Sequence, residues 1–125
     1  MLQGYRATCH WAFREQLALL GVEVLSQRVT IDRNRITGAG VTSGIDLGLT
    51  LLGLMCGEDL AKMAQLMLEY QPEPPFNAGT PATAGKAVVR DLMQVGKPLV
   101  DAFLIQTQEI ANTLKGMYLR DNKAD

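Results

Sequence analysis

The segment Gly38-Ala39-Gly40-Val41-Thr42-Ser43-Gly44-Ile45-Asp46 constrains this chain more than any other. Ile36 and Thr37 read as the end of a strand that runs out through two glycines into a helix starting at Ser43 and stopping at Gly57. Ser43 and Asp46 stand at N-cap and N3 spacing, a capping box with Asp in place of the usual Glu, and Asp46 puts negative charge where the helix dipole favours it. A glycine-rich strand-to-helix turn exposes backbone N–H groups that stabilise an anion or a developing oxyanion, and ligands of α/β sheets bind at this end of the strands. The turn from Gly40 to Gly44 is therefore a candidate site wall. The alternative is an ordinary βα turn in which Ser43 is only a cap.

Upstream of this turn, strands and helices alternate. Tyr5 to Cys9 reads as a short strand, and Trp11 to Leu20 as a helix with Phe13, Leu17 and Leu20 on one face and Gly21 as its stop. Val22 to Leu25 and Val29 to Asp32 alternate as strands do, and Asp32-Arg33-Asn34-Arg35 is turn chemistry leading into the second arm of a hairpin, Ile36 to Ala39. Gly4 sits where a helix C-terminus places a left-handed residue, with Met1-Leu2 as the last apolar turn of a helix whose body is absent. On that reading the chain is truncated at its N-terminus; the alternative is a flexible start at a native Met.

Helices dominate the remainder. Leu60, Met63, Ala64, Met67 and Leu68 form the stripe of a helix packed on one side, and the Met63/Met67 pair reads as core. Gln71 to Pro81 holds four of the five prolines and is expected to be an ordered loop or arm. Helix resumes from about Thr83 to Gln94, is interrupted by Gly96-Lys97-Pro98, and runs again from Leu99 to about Met117. Arg120 to Asp125 is a polar tail. Strands alternating with helices and followed by helices argue for α/β layers with a helical C-terminal extension, with fewer strands than a compact parallel sheet needs.

The 125 residues carry 12 Lys+Arg against 13 Asp+Glu, so nothing builds the basic face of a nucleic-acid binder. No apolar run is long enough to cross a bilayer, and no signal peptide is visible, which suits a soluble cytoplasmic protein. The two cysteines, Cys9 and Cys56, form no disulfide framework, and Cys56 reads as a small core residue. A single histidine, His10, follows Cys9. Neighbours on a strand point to opposite faces, so a thiolate–imidazole pair is the weaker reading and a hydrogen-bonded group beside a cleft the stronger. One His with two distant Cys gives no metal pattern, and no Walker, nucleophile-elbow or dinucleotide motif is present.

Taken together, Gly4-Tyr5-Arg6-Ala7-Thr8-Cys9-His10-Trp11, Asn34-Arg35-Ile36-Thr37-Gly38 and Gly40-Val41-Thr42-Ser43-Gly44-Ile45-Asp46-Leu47 resemble the ThiJ/PfpI superfamily, of the class I glutamine amidotransferase-like fold. Met67-Leu68-Glu69-Tyr70-Gln71-Pro72-Glu73-Pro74-Pro75-Phe76-Asn77-Ala78-Gly79 is similar to its isonitrile hydratase branch. The resemblance implies an α/β, flavodoxin-like three-layer sandwich, here N-terminally truncated. Residues 1–81 would be the C-terminal part of that domain, 82–119 a helical extension packed on it, and 120–125 the tail. It implies a cofactor-free and metal-free enzyme, usually homodimeric, that hydrates a small isonitrile to an N-substituted formamide with a cysteine nucleophile. In the family that cysteine and an acidic residue both precede the segment matched here, so no catalytic residue is expected in this chain. Cys9 falls where relatives commonly have Thr. His10 matches a position near the active-site cleft, and Gly40, Thr42 and Ser43 match the adjoining turn, as pocket-lining or supporting residues. Alternatives are the sensor domain of a transcription regulator, which the absence of a basic helix-turn-helix after Met117 argues against, and a non-catalytic remnant that binds a full-length relative. Apolar helix faces left uncovered would make the isolated chain self-associate or depend on a partner.

Overall fold

The computed structural model describes residues 2–121. Its elements run β1 (Arg6–Ala7), a 3-10 turn (Trp11–Phe13), α1 (Arg14–Leu19), β2 (Glu23–Val24), β3 (Val29–Asp32), β4 (Arg35–Gly38), α2 (Ser43–Cys56), α3 (Glu58–Met67) and α4 (Pro81–Asp121). β1 and β2 pair in parallel, Arg6 opposite Glu23 and Ala7 opposite Val24, with α1 as their crossover. β3 and β4 form the antiparallel hairpin, Val29 opposite Gly38 and Asp32 opposite Arg35. Strands and helices therefore alternate as the sequence predicts, although the strands are shorter than the apolar runs suggest.

The two small sheets are joined by side chains. Tyr5 and Ala7 present their carbonyls to β2, accepting from Glu23 N–H at 3.0 Å and Leu25 N–H at 2.8 Å. Arg6 and Thr8 point the opposite way, as alternate residues of a strand must. Their N–H groups are taken by the hairpin, Arg6 donating to Asp32 Oδ2 at 2.8 Å and Thr8 to Thr37 Oγ1 at 3.0 Å. Thr8 Oγ1 in turn donates to the Gln27 carbonyl at 2.8 Å. Thr8, Thr30 and Asp32 are buried at this seam.

Helix ends follow the glycines. Gly21 closes α1, and Gly57 turns the chain from α2 to α3 with φ +93°, a conformation that L side chains rarely adopt. Gly4 also has positive φ, in a turn where Tyr5 N–H donates to the Leu2 carbonyl at 3.0 Å; Met1, the other half of the expected apolar turn, lies outside the described residues. α2 and α3 meet through small residues, since a Cβ on Gly53 would lie 3.7 Å from that of Ala61. α4 is tied to α1 by the buried Gln16, which donates through Nε2 to the Val100 carbonyl at 2.9 Å, and by an edge-to-face contact of Phe13 with Phe103 at 5.7 Å.

Five expectations are corrected. Gly96-Lys97-Pro98 does not interrupt α4; the non-helical residue inside it is Gly85, and the helix continues through Pro98 at the cost of one backbone hydrogen bond. Its first turn is instead fixed by a reciprocal pair, Thr83 N–H to Thr80 Oγ1 at 3.2 Å and Thr80 N–H to Thr83 Oγ1 at 3.1 Å. Met63 and Met67 are not core: they are 67% and 88% exposed, because α3 meets α2 through its small residues and turns the Met stripe outward. Cys56 is likewise exposed at the end of α2. The capping box does not form. Thr42 occupies the N-cap without a side-chain bond, Ser43 is the first helical residue, and Asp46 thereby falls one position too late to reach back. Of the expected tail, Arg120 and Asp121 are still within α4, and residues 122–125 lie outside the described residues.

Asp32 is held below the usual carboxylate range, first by the Arg6 N–H and then by the Arg33 guanidinium. A depressed folded value means that its contribution is complete above the unfolded carboxylate pKa of about 3.9 and disappears as pH falls through the lower folded value. Asp32→Asn is therefore expected to lower stability at neutral pH and to flatten the loss below about pH 4. Denaturant unfolding of both proteins on either side of that pH checks it.

Candidate functional site

Between the start of the 3-10 turn, the loop before β3, the Gly40 turn and the end of the proline-rich arm lies a cleft of about 580 Å³. Its walls include His10, Trp11, Arg14, Arg28, Gly40 and Thr42, with Gly79 to Ala82 closing one side. The reciprocal Thr80–Thr83 cap explains how a four-proline arm delivers a fixed backbone to that edge. Of the residues singled out in the sequence, His10, Gly40 and Thr42 thus meet in one cleft. A Cβ on Gly40 would stand 3.6 Å from His10 Cδ2, so the turn and the ring are in direct reach. Ser43 is not in the wall. It is buried behind it at 1% exposure, donating to the Gly40 carbonyl through Oγ at 2.6 Å and through its N–H at 2.9 Å. The two bonds pin the turn from beneath.

His10 is the N-cap of the 3-10 turn, its Nδ1 accepting the Ala12 N–H at 3.3 Å. With Nδ1 used as an acceptor, Nε2 is the donor of the neutral ring. Its imidazole lies 5.4 Å from the Trp11 ring and 5.8 Å from that of Phe13. Cys9 does not pair with it: the thiol donates to the His10 carbonyl at 3.4 Å, not to the ring. Burial pushes the Cys9 thiol up, against a smaller opposing effect of Arg14. A thiol so held is protonated at neutral pH and is a poor nucleophile.

Two arginines in the cleft went unnoticed in the sequence. Arg28 Nε pairs with Asp46, and its Nη2 donates to Thr42 Oγ1 at 3.1 Å. Tyr70, just beyond the end of α3, donates to the other Asp46 oxygen at 2.9 Å. Asp46 thus ties the loop before β3 and the start of the arm to the helix behind the site, and the hydrogen bond that Arg28 donates to Asp46 is the first cause that holds its guanidinium charged more firmly. Thr42 accepts from Arg28, so its own hydroxyl proton remains free for the cleft. Arg14 donates through Nη1 to Ser26 Oγ at 3.0 Å. The i, i+4 spacing of His10 and Arg14 was the available signal for the latter; Arg28 had none, because its partners are remote in sequence. Among the described residues no group of three or more His, Cys, Asp or Glu is placed to hold a metal ion. Among the same residues no helix is long and apolar enough to cross a membrane.

No family model matches the chain. An isonitrile hydratase of Pseudomonas putida is 47% identical over 98 residues, covering 78% of this chain and 43% of that protein. The crystal structure of a ThiJ/PfpI family protein from Pseudomonas syringae is similar with a TM-score of 0.75 and 47% identity, covering 88% of this chain and 44% of that one. The chain spans less than half the length of either relative. Over the matched residues the fold is that of an α/β protein of the flavodoxin-like class. The chain belongs to the ThiJ/PfpI family, as an isonitrile hydratase-like member over that part of its length.

The close approach of β4 to α2 gives a direct test of how the turn is held. A Cβ at Gly38 would meet the buried Ser43 Oγ at 2.9 Å and Leu47 Cδ1 at 3.2 Å, whereas at Gly40 it makes ordinary contact. Gly38→Ala is expected to destabilise by about 1–3 kcal/mol, as overpacking does, and Gly40→Ala by clearly less. Denaturation midpoints of the two variants decide.

Proposed function

We propose that this chain forms the C-terminal half of an isonitrile hydratase-like enzyme. The observation that carries the reading is the 47% identity to an isonitrile hydratase, in a chain whose family-matched residues His10, Gly40 and Thr42 line one cleft. In this reading the reacting cysteine and its acidic partner come from a segment outside these 125 residues, and the protein works as a cytoplasmic homodimer. Both cysteines here are free, in keeping with a reducing compartment. Neither is offered as the nucleophile: Cys9 is held as a thiol, and Cys56 is absent from the cleft.

The chemistry is an addition at the terminal isonitrile carbon. A thiolate forms the S–C bond while a proton is delivered to the same carbon, giving a thioimidate. Water then adds to that carbon, the thiol leaves, and the nitrogen takes a proton, releasing the N-substituted formamide. The residues of this chain supply the walls for these steps. His10 Nε2–H and the free hydroxyl proton of Thr42 are donors facing one cleft, and Ser43 holds the Gly40 turn against the histidine. Arg28 and Asp46 position Thr42 without entering the reaction.

The test uses two proteins: the 125-residue chain, and the same chain preceded by the cysteine-bearing half of the Pseudomonas putida relative. The chain alone should give no formamide, and the fused protein should turn isonitrile over. His10→Asn keeps an N-cap acceptor and removes the ring donor, so in the fused protein it should lower turnover roughly 10²-fold without unfolding it. Turnover by the chain alone that disappears in Cys9→Ser, or a folded but inactive fusion, would overturn the reading.

A further inference from the structure

Charge in the cleft is not balanced. Its lining contains two guanidinium groups and no Asp or Glu. Arg28 is neutralised by Asp46 behind the wall. Arg14 is not: none of the ion pairs among the described residues includes it, and its one hydrogen bond of Nη1 goes to a neutral hydroxyl, Ser26 Oγ. Moreover, Arg14 Nε is a buried donor without any hydrogen-bond partner. An unpaired buried N–H of a charged group loses its water and gains nothing in return, so native structures keep few of them. Hydrophobic wall accompanies this charge, with Trp11, Ala39, Pro81 and Ala82 around the same space.

The geometry points to Arg14 as the anchor of an organic carboxylate bound in this cleft. The planar fork of a guanidinium matches a carboxylate in two parallel hydrogen bonds, which would give the Arg14 Nε–H the acceptor it lacks. The apolar wall takes the organic body, which an inorganic anion lacks. Under the hydratase reading, on which this part rests, the substrate is an isonitrile whose substituent carries a carboxylate. Arg14 would then hold the acid end while the isonitrile carbon lies near His10 and Thr42.

Trp11 is the single tryptophan of the chain and lines the cleft, so its fluorescence reports occupancy without any turnover. The full chain is titrated with benzoate, with the neutral isostere benzamide, and with inorganic phosphate. Saturable quenching by benzoate is expected, with benzamide and phosphate at least about tenfold weaker. Arg14→Met should weaken benzoate about tenfold or more, and Arg14→Lys, which keeps the charge but not the fork, by less. Equal binding of benzamide, equal binding of phosphate, or undiminished benzoate binding by Arg14→Met overturns the proposal. The comparison of benzoate with benzamide needs no variant, so it stands even where a substitution unfolds the chain. In the fused protein, preference for a carboxylate-bearing isonitrile over its methyl ester should vanish with Arg14→Met. A fusion that binds benzoate but makes no formamide sinks the hydratase reading alone; one that makes formamide without binding benzoate sinks only the carboxylate.

Discussion

The structure depends on how the second edge of a two-residue strand is satisfied. β1 has β2 on one side, and nothing of regular sheet on the other. Buried N–H groups at such an edge must find acceptors, and here they find the side chains of Asp32 and Thr37. Replacing a backbone ladder by two side-chain acceptors fixes the hairpin at one register, because Asp32 and Thr37 must both face the same strand. That register carries the rest. It sets where β4 ends, hence where the Gly40 turn begins, and so brings the turn to His10 at the far end of β1.

Behind the turn, polar contacts take the place of a deep apolar core. Among the described residues the buried apolar set is Ala7, Val22 and Ala111, while Thr8, Gln16, Thr30, Asp32 and Ser43 are buried and hydrogen-bonded. Such networks specify geometry when every member is satisfied. Asp46 shows the same economy: one carboxylate receives Arg28 from the loop before β3 and Tyr70 from the segment after α3. The cleft walls are thus positioned from three separate parts of the chain, and Arg14 is the cleft cation left without an acid.

Local rules read well where one residue decides the outcome. Gly21 and Gly57 end helices as expected, and the polar turn Asp32 to Arg35 makes the hairpin. Reading failed where the outcome depends on what lies across from a residue. The Met63/Met67 stripe has the periodicity of a packed face, but α3 uses Ala61 against Gly53 instead. Gly96 and Pro98 carry a break signal that helix continuity through α4 overrides, and a helix boundary one residue earlier turns a capping box into a long-range ion-pair network.

The sequence by itself determined the order of strands and helices, the glycine corners, and the family motifs around His10 and Gly40, because each rests on backbone preferences or residue identity within a few neighbours. Tertiary structure alone decided the seam of Asp32 and Thr37 on β1, the partners of Asp46, the exposure of the methionines and the isolation of Arg14. Each is a meeting of residues many positions apart, and hydrogen-bond partners and burial are properties of such meetings, which no local pattern encodes.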